Sequence, residues 1–104
     1  MDLEVWKADR DGCKGERSAF VETIRPIKND FLASDNQALI KTFGRPDRVE
    51  LVDRSQNFFI YYLEPSPRCE GSEAEEEQVL KLIFRLNAYS RVSEVIITRL
   101  NPGD

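Results

Sequence analysis

Few side chains in this chain combine a type and a spacing suited to catalysis. The sequence contains no histidine, so a general acid or base would have to be a carboxylate, a lysine, a tyrosine or a cysteine. The nucleophile triads built on histidine are thereby excluded. Gly12 and Gly15 do not stand at a strand-to-helix turn of the kind that cradles a phosphate. We therefore predict a non-enzymatic protein without a bound cofactor.

The acids and cysteines do not predict a metal site either. Glu75, Glu76 and Glu77 are consecutive, so their carboxylates point in different directions and lack the alternating ligands and central glycine of a calcium loop. Cys13 and Cys69 are two thiols without a histidine, which makes a poor zinc site. Their spacing alone leaves a structural disulfide and two reduced cysteines of a cytosolic protein equally open.

Length and charge predict one small domain that does not bind polyanions. The 104 residues match the usual size of a single domain, and 19 acidic against 15 basic residues give a net charge of -4. That charge disfavours nucleic acid and anionic lipid as partners. The sequence as given shows neither a long apolar run nor a signal peptide, although a mature exported domain would have lost its signal.

The N-terminal part is predicted to contain two helices that pack on the rest of the domain. Residues 1–16 are expected to be irregular and fixed at Trp6 and Cys13, and residues 17–44 to form a helical hairpin. Its first helix should run through Pro26 with a kink, because one apolar stripe continues across the proline. That stripe consists of Phe20, Ile24, Ile27 and Phe31.

The second helix is predicted from its ends. Ser34 begins the sequence "SDNQ", which has the form of a capping box closed by Gln37. Gly44 supplies a left-handed stop, and Pro46 prevents the helix from resuming. The hairpin therefore ends at residue 44.

Residues 47–100 are predicted to form four antiparallel strands. "RVELVD" should be an edge strand, and "NFFIYYLE" should be central because it is apolar on both pleat faces. "QVLKLIFRL" places Leu80, Leu82, Phe84 and Leu86 toward the core, with Val79, Lys81, Ile83 and Arg85 on the other side. "RVSEVIITRL" is the fourth strand, whose mixed alternation leaves its inner face unassigned. The predicted class is α+β, with two helices on one face of a four-stranded sheet (ααββββ).

Two further features concern surfaces. The acidic segment 64–77 carries prolines and a glycine, so it is expected to be the least ordered internal part. Aromatic residues of the central strand point to a sheet face that is either a recognition surface or is covered by the N-terminal segment with Trp6. As a recognition surface, the candidate partner-binding face consists of Phe59, Tyr61, Lys81, Ile83 and Arg85.

The order of several segments resembles the small outer-membrane lipoproteins of the SmpA/OmlA (BamE-like) type. The matching segments are "LIKTFGRPD" at 39–47, "FIYYL" at 59–63, "LKLIFRL" at 80–86 and "RVSEVII" at 91–97. The flanks "WKADRDGCKGER" at 6–17 and "YYLEPSPRC" at 61–69 are similar to bacterial lipoproteins with paired cysteines. This resemblance implies a Cys13–Cys69 disulfide and the fold of β-lactamase inhibitor proteins, and it implies no catalytic residues.

The resemblance also implies a function and a place. We expect a scaffold or protein-binding domain on the periplasmic side of the cell envelope, whose protein partner the sequence does not identify. Contact with a membrane would occur only through a lipid anchor that this chain does not carry and that belongs to a full-length precursor. The alternative is a soluble inhibitor or immunity-type protein that binds one partner through its sheet face.

Overall fold

Along the chain, the helices come first and the strands of the sheet follow. The computed structural model describes residues 2–53 and 56–100. Four antiparallel strands lie in the order β1-β2-β3-β4, and the helices pack on one face of this sheet. The predicted α+β class is confirmed. The elements are α1 (Leu3–Ala8), α2 (Val21–Ile24), α3 (Asn36–Phe43), β1 (Arg48–Asp53), β2 (Gln56–Tyr62), β3 (Lys81–Leu86) and β4 (Val92–Thr98).

The N-terminal segment is more regular than predicted. Asp2 caps α1 by accepting hydrogen bonds from the amides of Glu4 and Val5, and a 3₁₀ turn follows at Arg10–Gly12. The prediction of an irregular segment over residues 1–16 was therefore wrong. An aspartate before a short apolar and charged run is the ordinary signal for a helix start. Trp6 lies on α1 and is fully buried, so the expected anchor is in place.

The first predicted helix is not a continuous α-helix. A 3₁₀ turn precedes α2, and a second 3₁₀ segment, Arg25–Phe31, follows it with Pro26 at its start. Residues four apart in a 3₁₀ helix are offset by about 120° around the axis, so Ile27 and Phe31 cannot both face the sheet. Phe31 packs on the core, whereas Ile27 is 37% exposed. The predicted stripe was wrong at Ile27.

Helix α3 begins one residue later than predicted. Its N-cap is Asp35, whose carboxylate accepts from the Ala38 amide at 2.8 Å, in place of the predicted Ser34. Gly44 ends the helix with φ of 80°, and its amide donates to the Ile40 carbonyl. The glycine stop was predicted correctly, because this backbone conformation disfavours other residues.

The sheet is buried on both faces along its central strands. On the helix face, Tyr61 of β2 and Phe84 of β3 pack with Trp6 and Phe43. On the opposite side, which we call the outer face, a second apolar cluster forms around the even-numbered residues of β2. The central position of β2 and the predicted face assignment of β3 are both confirmed. The outer cluster consists of Phe58, Ile60, Tyr62, Val79 and Ile83.

The mixed alternation of β4 has a local cause. Leu86 pairs with Val92 while Arg85 pairs with Glu94, so Ser93 is an extra residue in the ladder. Such a bulge shifts the side-chain alternation by one position. Val92 and Val95 therefore both face the helices although they are three residues apart.

Candidate functional site

A disulfide joins the N-terminal segment to the acidic loop, which we define as residues 64–77. Cys13 and Cys69 are bonded, with their Cα atoms 5.5 Å apart. The Ser66 amide donates to the Asp11 carbonyl at 2.9 Å beside this bond. The pairing that the resemblance implied is present, and so is the contact between the two segments. Because Cys69 lies near the middle of the loop, the bond ties the loop to the N-terminal segment.

A buried ion pair lies next to the disulfide. Arg17 Nη1 contacts Asp47 Oδ2 at 2.5 Å, and both side chains are fully buried. Asp47 also accepts from the amides of Asp11 at 3.1 Å and Tyr62 at 2.9 Å. A single carboxylate thus connects the N-terminal segment, the first helical region and β2.

The guanidinium of Arg17 is held from the other side by α1. Its Nε donates to the Trp6 carbonyl at 3.0 Å, and its Cζ lies 4.7 Å from the centre of the Trp6 ring. Asp9 accepts from the amides of Lys14 at 2.6 Å and Arg17 at 3.0 Å. The buried carboxylates accept from backbone amides and the buried guanidinium donates to a backbone carbonyl, so the cluster positions chain segments and offers no open chemical site.

The acidic loop crosses the outer face and is attached there by Glu76. Its carboxylate accepts from the Tyr62 hydroxyl at 2.5 Å and from Arg48 at 2.9 Å. Ala74 packs against the outer apolar cluster. Burial, followed by the hydrogen bond to Glu76, raises the pKa of Tyr62 above its usual range. The tyrosine therefore remains a neutral donor.

Lys81, the first residue of β3, holds the end of the same loop through hydrogen bonds. Its fully buried ammonium donates to the carbonyls of Val79 at 2.9 Å and Arg99 at 2.6 Å, and also to that of Glu76. Burial lowers the pKa of Lys81, while the nearby Glu76 carboxylate opposes that shift. Three carbonyls and one carboxylate explain how a lysine is tolerated there.

The five residues of the predicted partner-binding face do not form one surface. Phe59 and Tyr61 lie on the helix face, where the Tyr61 hydroxyl donates to the Gly44 carbonyl at 2.7 Å. Lys81 and Ile83 lie on the outer face beneath the acidic loop, and only Arg85 is partly exposed. The composition of this face must therefore be corrected.

Trp6 explains why the aromatic residues of β2 are covered on the helix face. Its ring centre lies 6.0 Å from that of Tyr61 and 5.4 Å from that of Phe43. Of the two interpretations that the sequence left open, cover by the N-terminal segment is the one seen for Tyr61, and Phe59 is buried in the same core cluster. Large apolar rings in such contact belong to a core.

The described part of the chain has a cleft beside the acidic loop, but no metal-ligand group. The cleft measures about 490 Å³ and opens beside the acidic loop. Among residues 2–53 and 56–100, no three cysteine or acidic side chains are placed to hold a metal ion. None of the helices over these residues is long and apolar enough to span a bilayer. The cleft is lined by Ser18, Glu64, Pro65, Ser72, Glu73, Ala74, Gln78 and Val79.

The two edges of the sheet differ in their cover. At the β4 edge, the Ala33 amide donates to the Val92 carbonyl at 2.9 Å and the Val92 amide donates to the Ser34 carbonyl at 2.8 Å. Further along, Lys28 Nζ donates to the Val95 carbonyl at 3.1 Å. The segment that precedes α3 thus occupies outward backbone groups of β4. Pairing with another strand is blocked there.

Among the described residues, no strand or loop pairs with the opposite edge, which we call open. We define the β1 edge as residues 48–51. Its helix-face side chains Val49 and Leu51 are 49% and 75% exposed, because the helices cover β2, β3 and β4 but leave these two residues uncovered. Arg48 and Glu50 lie on the outer face, opposite Ile60 and Phe58. The edge therefore combines exposed apolar side chains with a pair of opposite charges.

Backbone groups of the β1 edge point away from the sheet. The Leu63 amide donates to the Leu80 carbonyl, on the β3 side of β2. Because backbone groups alternate along a strand, the N–H and C=O groups of Tyr62 and Ile60 face β1. In agreement, the Tyr62 amide donates to Asp47 on that side. Ile60 lies opposite Arg48, so Arg48 and Glu50 exchange hydrogen bonds with β2. The N–H and C=O groups of Val49 and Leu51 consequently face outward.

Sequence reasoning identified β1 as an edge but missed what makes the site. The exposed positions Val49 and Leu51 alternate like core residues, and only the reach of the helices decides whether they are covered. The roles of Arg17 and Asp47 were also missed. A proline-aspartate pair directly after a helix stop was a signal that an acid stands at the turn into the sheet.

Comparisons of the chain with protein-family models, with curated proteins and with solved structures found no match.

Proposed function

We propose that this chain is a non-enzymatic protein-binding module of the bacterial cell envelope. It acts on the periplasmic side as a scaffold and is lipid-anchored in its full-length precursor. Its contact with a protein partner is made at the β1 edge. The observation that carries this proposal is the exposure of Val49 and Leu51 on a strand whose outward backbone groups lack a neighbouring strand in the described structure.

The disulfide supports the compartment. Bonds such as Cys13–Cys69 form and persist in oxidising compartments, including the bacterial periplasm, and are rare in the cytosol. The bond also fixes the acidic loop on the outer face. The loop thereby covers the outer face, while the β1 edge stays open.

The form of the edge supports the binding mode. An open strand can accept an extended segment of another protein, with main-chain hydrogen bonds for affinity and side-chain pockets for specificity. Folded proteins usually protect such an edge with prolines, bulges or inward charges. β1 has a register irregularity between Leu51 and Asp53, but up to that point Val49 and Leu51 present exposed apolar surface.

The alternative, an inhibitor or immunity-type protein that binds through its sheet face, has less support. The apolar centre of the outer face, including Ile60 and Ile83, is buried by the acidic loop. A partner would have to displace Glu76 from Tyr62 and Arg48 before reaching it. The accessible parts of this face are its charged rims, such as the one formed by Arg85 and Glu94.

Site-specific photo-crosslinking in the source cells tests this proposal. A photoreactive residue at Leu51 should give protein adducts in the envelope fraction, because that side chain projects beside the open strand. The matched control is Tyr89, which is 83% exposed but lies in the turn between β3 and β4. Absence of adducts from position 51, or equal adducts from both positions, would contradict binding at the β1 edge.

A second measurement addresses the compartment. Thiol alkylation in intact cells, followed by mass determination, should leave Cys13 and Cys69 unmodified until a reductant is added. Fractionation should place the protein with the envelope. Free thiols in a cytosolic fraction would contradict the location while leaving the binding edge to be judged by crosslinking.

A further inference from the structure

We propose that the partner bound at the β1 edge is a second copy of this chain. This inference rests on the proposed function and names its partner. Two β1 strands would pair antiparallel across a two-fold axis perpendicular to the sheet, joining two four-stranded sheets edge to edge. A two-fold contact requires a surface that is complementary to itself.

Charge provides this self-complementarity. With Val49 placed opposite Val49 of the second copy, Arg48 lies opposite Glu50 of that copy, and Glu50 lies opposite its Arg48. Both charged residues are on the outer face, as directly opposed residues in an antiparallel pair must be. Opposite charges in this position stabilise a strand pair, and they occur twice because of the symmetry.

The same charges select the register. A shift of the axis to Glu50 would place two Glu50 carboxylates directly opposite each other, which destabilises a strand pair. The axis at Val49 avoids that contact. It also brings the exposed Leu51 diagonal to Val49 of the second copy, so apolar surface is removed from water on the helix face.

Both side chains lie at the accessible rim of the strand. Within one chain, Arg48 Nη2 lies 2.5 Å from Glu50 Oε2, and both side chains remain partly exposed at 27% and 39%. Arg48 and Glu50 therefore stand side by side at the rim of the strand. A second copy presents the same two groups in the reverse order.

The opposite edge cannot offer an equivalent contact. Its outward carbonyls at Val92 and Val95 are bonded to Ala33 and Lys28. A chain with one open and one blocked edge forms a closed dimer rather than a filament. The contact is limited to one short strand, so the dimer should be weak and its population should depend on concentration.

Sedimentation equilibrium of the purified chain tests the proposal. The series should cover concentrations from about 1 µM to 1 mM, the range in which weak complexes dissociate. We expect a reversible monomer–dimer equilibrium. Arg48→Glu and Glu50→Arg should each weaken self-association at least tenfold, because each places like charges opposite one another in both contacts.

An equimolar mixture of these two variants provides the decisive arm. One chain then carries acids at positions 48 and 50 and the other carries bases, so every cross-strand pair becomes favourable and a heterodimer should form. Glu94→Arg, on the blocked edge, should leave self-association unchanged. Thermal unfolding of each variant checks that the fold is retained, since Arg48 also contacts Glu76.

A wild-type chain that stays monomeric throughout the series would overturn the proposal, as would a mixture that fails to associate. The proposed function is judged separately. Crosslinks from position 51 to a different envelope protein, combined with a monomer in solution, would overturn the second-copy partner and leave binding at the β1 edge in place. Loss of all adducts at position 51 would overturn both.

Discussion

Arg17 and Asp47 form an ion pair at 2.5 Å although 30 residues separate them and both side chains are fully buried. Arg17 stands where the first helical region begins, and Asp47 stands directly before β1. Their contact fixes the turn from α3 into the sheet against the N-terminal segment. The β1 edge begins at the next residue, so the ion pair lies directly beside it.

Removal of one partner of this pair should strongly destabilise the fold. Asp47→Asn leaves the Arg17 guanidinium buried without its charge partner, which typically costs about 3–5 kcal/mol. Arg17→Met should cost less, because Asp47 keeps the amides of Asp11 and Tyr62 as donors. The free energy of unfolding from urea titration measures both effects.

Arg10 is the matched control for this pair. Its guanidinium lies 3.6 Å from Asp47 Oδ1, but its side chain is 50% exposed. Arg10→Met should therefore cost at most about 1 kcal/mol. The double variant Arg17→Met/Asp47→Asn should lose less stability than the sum of the single variants. Additive losses would contradict direct coupling between Arg17 and Asp47.

A glycine next to the disulfide should be irreplaceable for steric reasons. Gly12 has φ of +66°, and a Cβ added there would lie 2.5 Å from the Glu64 carbonyl oxygen, which is backbone and cannot move freely. Gly15 has φ of +75° but nothing within 4 Å of its added Cβ. Gly15→Ala should cost about 1–2 kcal/mol from the backbone conformation alone. Gly12→Ala should cost clearly more in the same urea titration.

Comparison of the two glycine variants separates two causes of destabilisation, the backbone conformation and the packing contact. If Gly12→Ala and Gly15→Ala proved equally destabilising, the close approach of the N-terminal segment to the acidic loop would not contribute. The difference between the two variants therefore measures the packing contact, since the conformational term is common to both.

The strand faces could be predicted because a strand has only one period. In β3, the alternation of Leu82 and Phe84 with Ile83 determines both faces once one face is buried. In β4 the same logic failed at Ser93, because one bulged residue shifts the alternation and no residue type there announces it. Periodicity thus predicts an element but not its interruptions.

The helical region shows a different limit of prediction from the sequence. Ile24 and Phe31 fit an α-helical stripe, yet the segment after Ile24 is wound as a 3₁₀ helix, in which Ile27 turns to solvent. Spacing cannot distinguish the two windings over so few residues. The buried charges were beyond prediction for another reason. Arg17 and Asp47 are polar residues whose burial depends entirely on tertiary partners.

Lys81 should be required for the acidic loop to stay on the outer face. Lys81→Met keeps the length of the side chain but leaves the carbonyls of Val79 and Arg99 without their donor. Unsatisfied buried groups cost about 1–3 kcal/mol each, partly relieved if the loop opens to water. We expect faster amide exchange at residues 74–79 and a lower free energy of unfolding. Hydrogen exchange by mass spectrometry measures the first.

An exposed lysine serves as the comparison. Lys41→Met on α3 removes the same charge from the surface, so it should leave exchange in the acidic loop unchanged. An equal effect of both substitutions would indicate that net charge, and not the buried contacts of Lys81, holds the loop.

Stability should fall at alkaline pH because of two buried tyrosines. Burial is the main cause that raises the pKa of both Tyr61 and Tyr62 above the usual range, with Asp47 and Glu76 as respective further causes. Unfolded tyrosines lose their protons near pH 10, so above that pH the unfolded state binds fewer protons than the folded state. The free energy of unfolding should then decrease by up to about 2.7 kcal/mol per pH unit for the pair.

The titration of Lys81 changes the free energy of unfolding in the opposite direction and over a lower pH range. Its folded pKa is below the ordinary 10.5, so stability rises with pH until the unfolded lysine has also lost its proton. The decrease caused by the tyrosines should therefore be clearest above about pH 10.5. Urea titrations at several pH values measure it, and Tyr61→Phe/Tyr62→Phe should flatten the dependence. A slope unchanged in this double variant would exclude these tyrosines as its source.

The disulfide should supply a large share of the stability. Cys13 and Cys69 are separated by 56 positions, and a cross-link of that span stabilises by about 4 kcal/mol in the chain-entropy model. A domain usually has only about 5–15 kcal/mol in total. Cys13→Ser/Cys69→Ser should therefore lower the urea midpoint substantially, and a reductant should lower the wild-type midpoint to a similar value.

The double serine variant also controls for the reductant, because it has no bond to reduce and its midpoint should not respond. Alkylation of the native chain with mass determination completes the test. Two alkyl groups added without prior reduction would show that both thiols are free in solution. In that case the acidic loop would be held on the outer face by noncovalent contacts such as those of Glu76 and Lys81, and the support for an oxidising compartment would be lost.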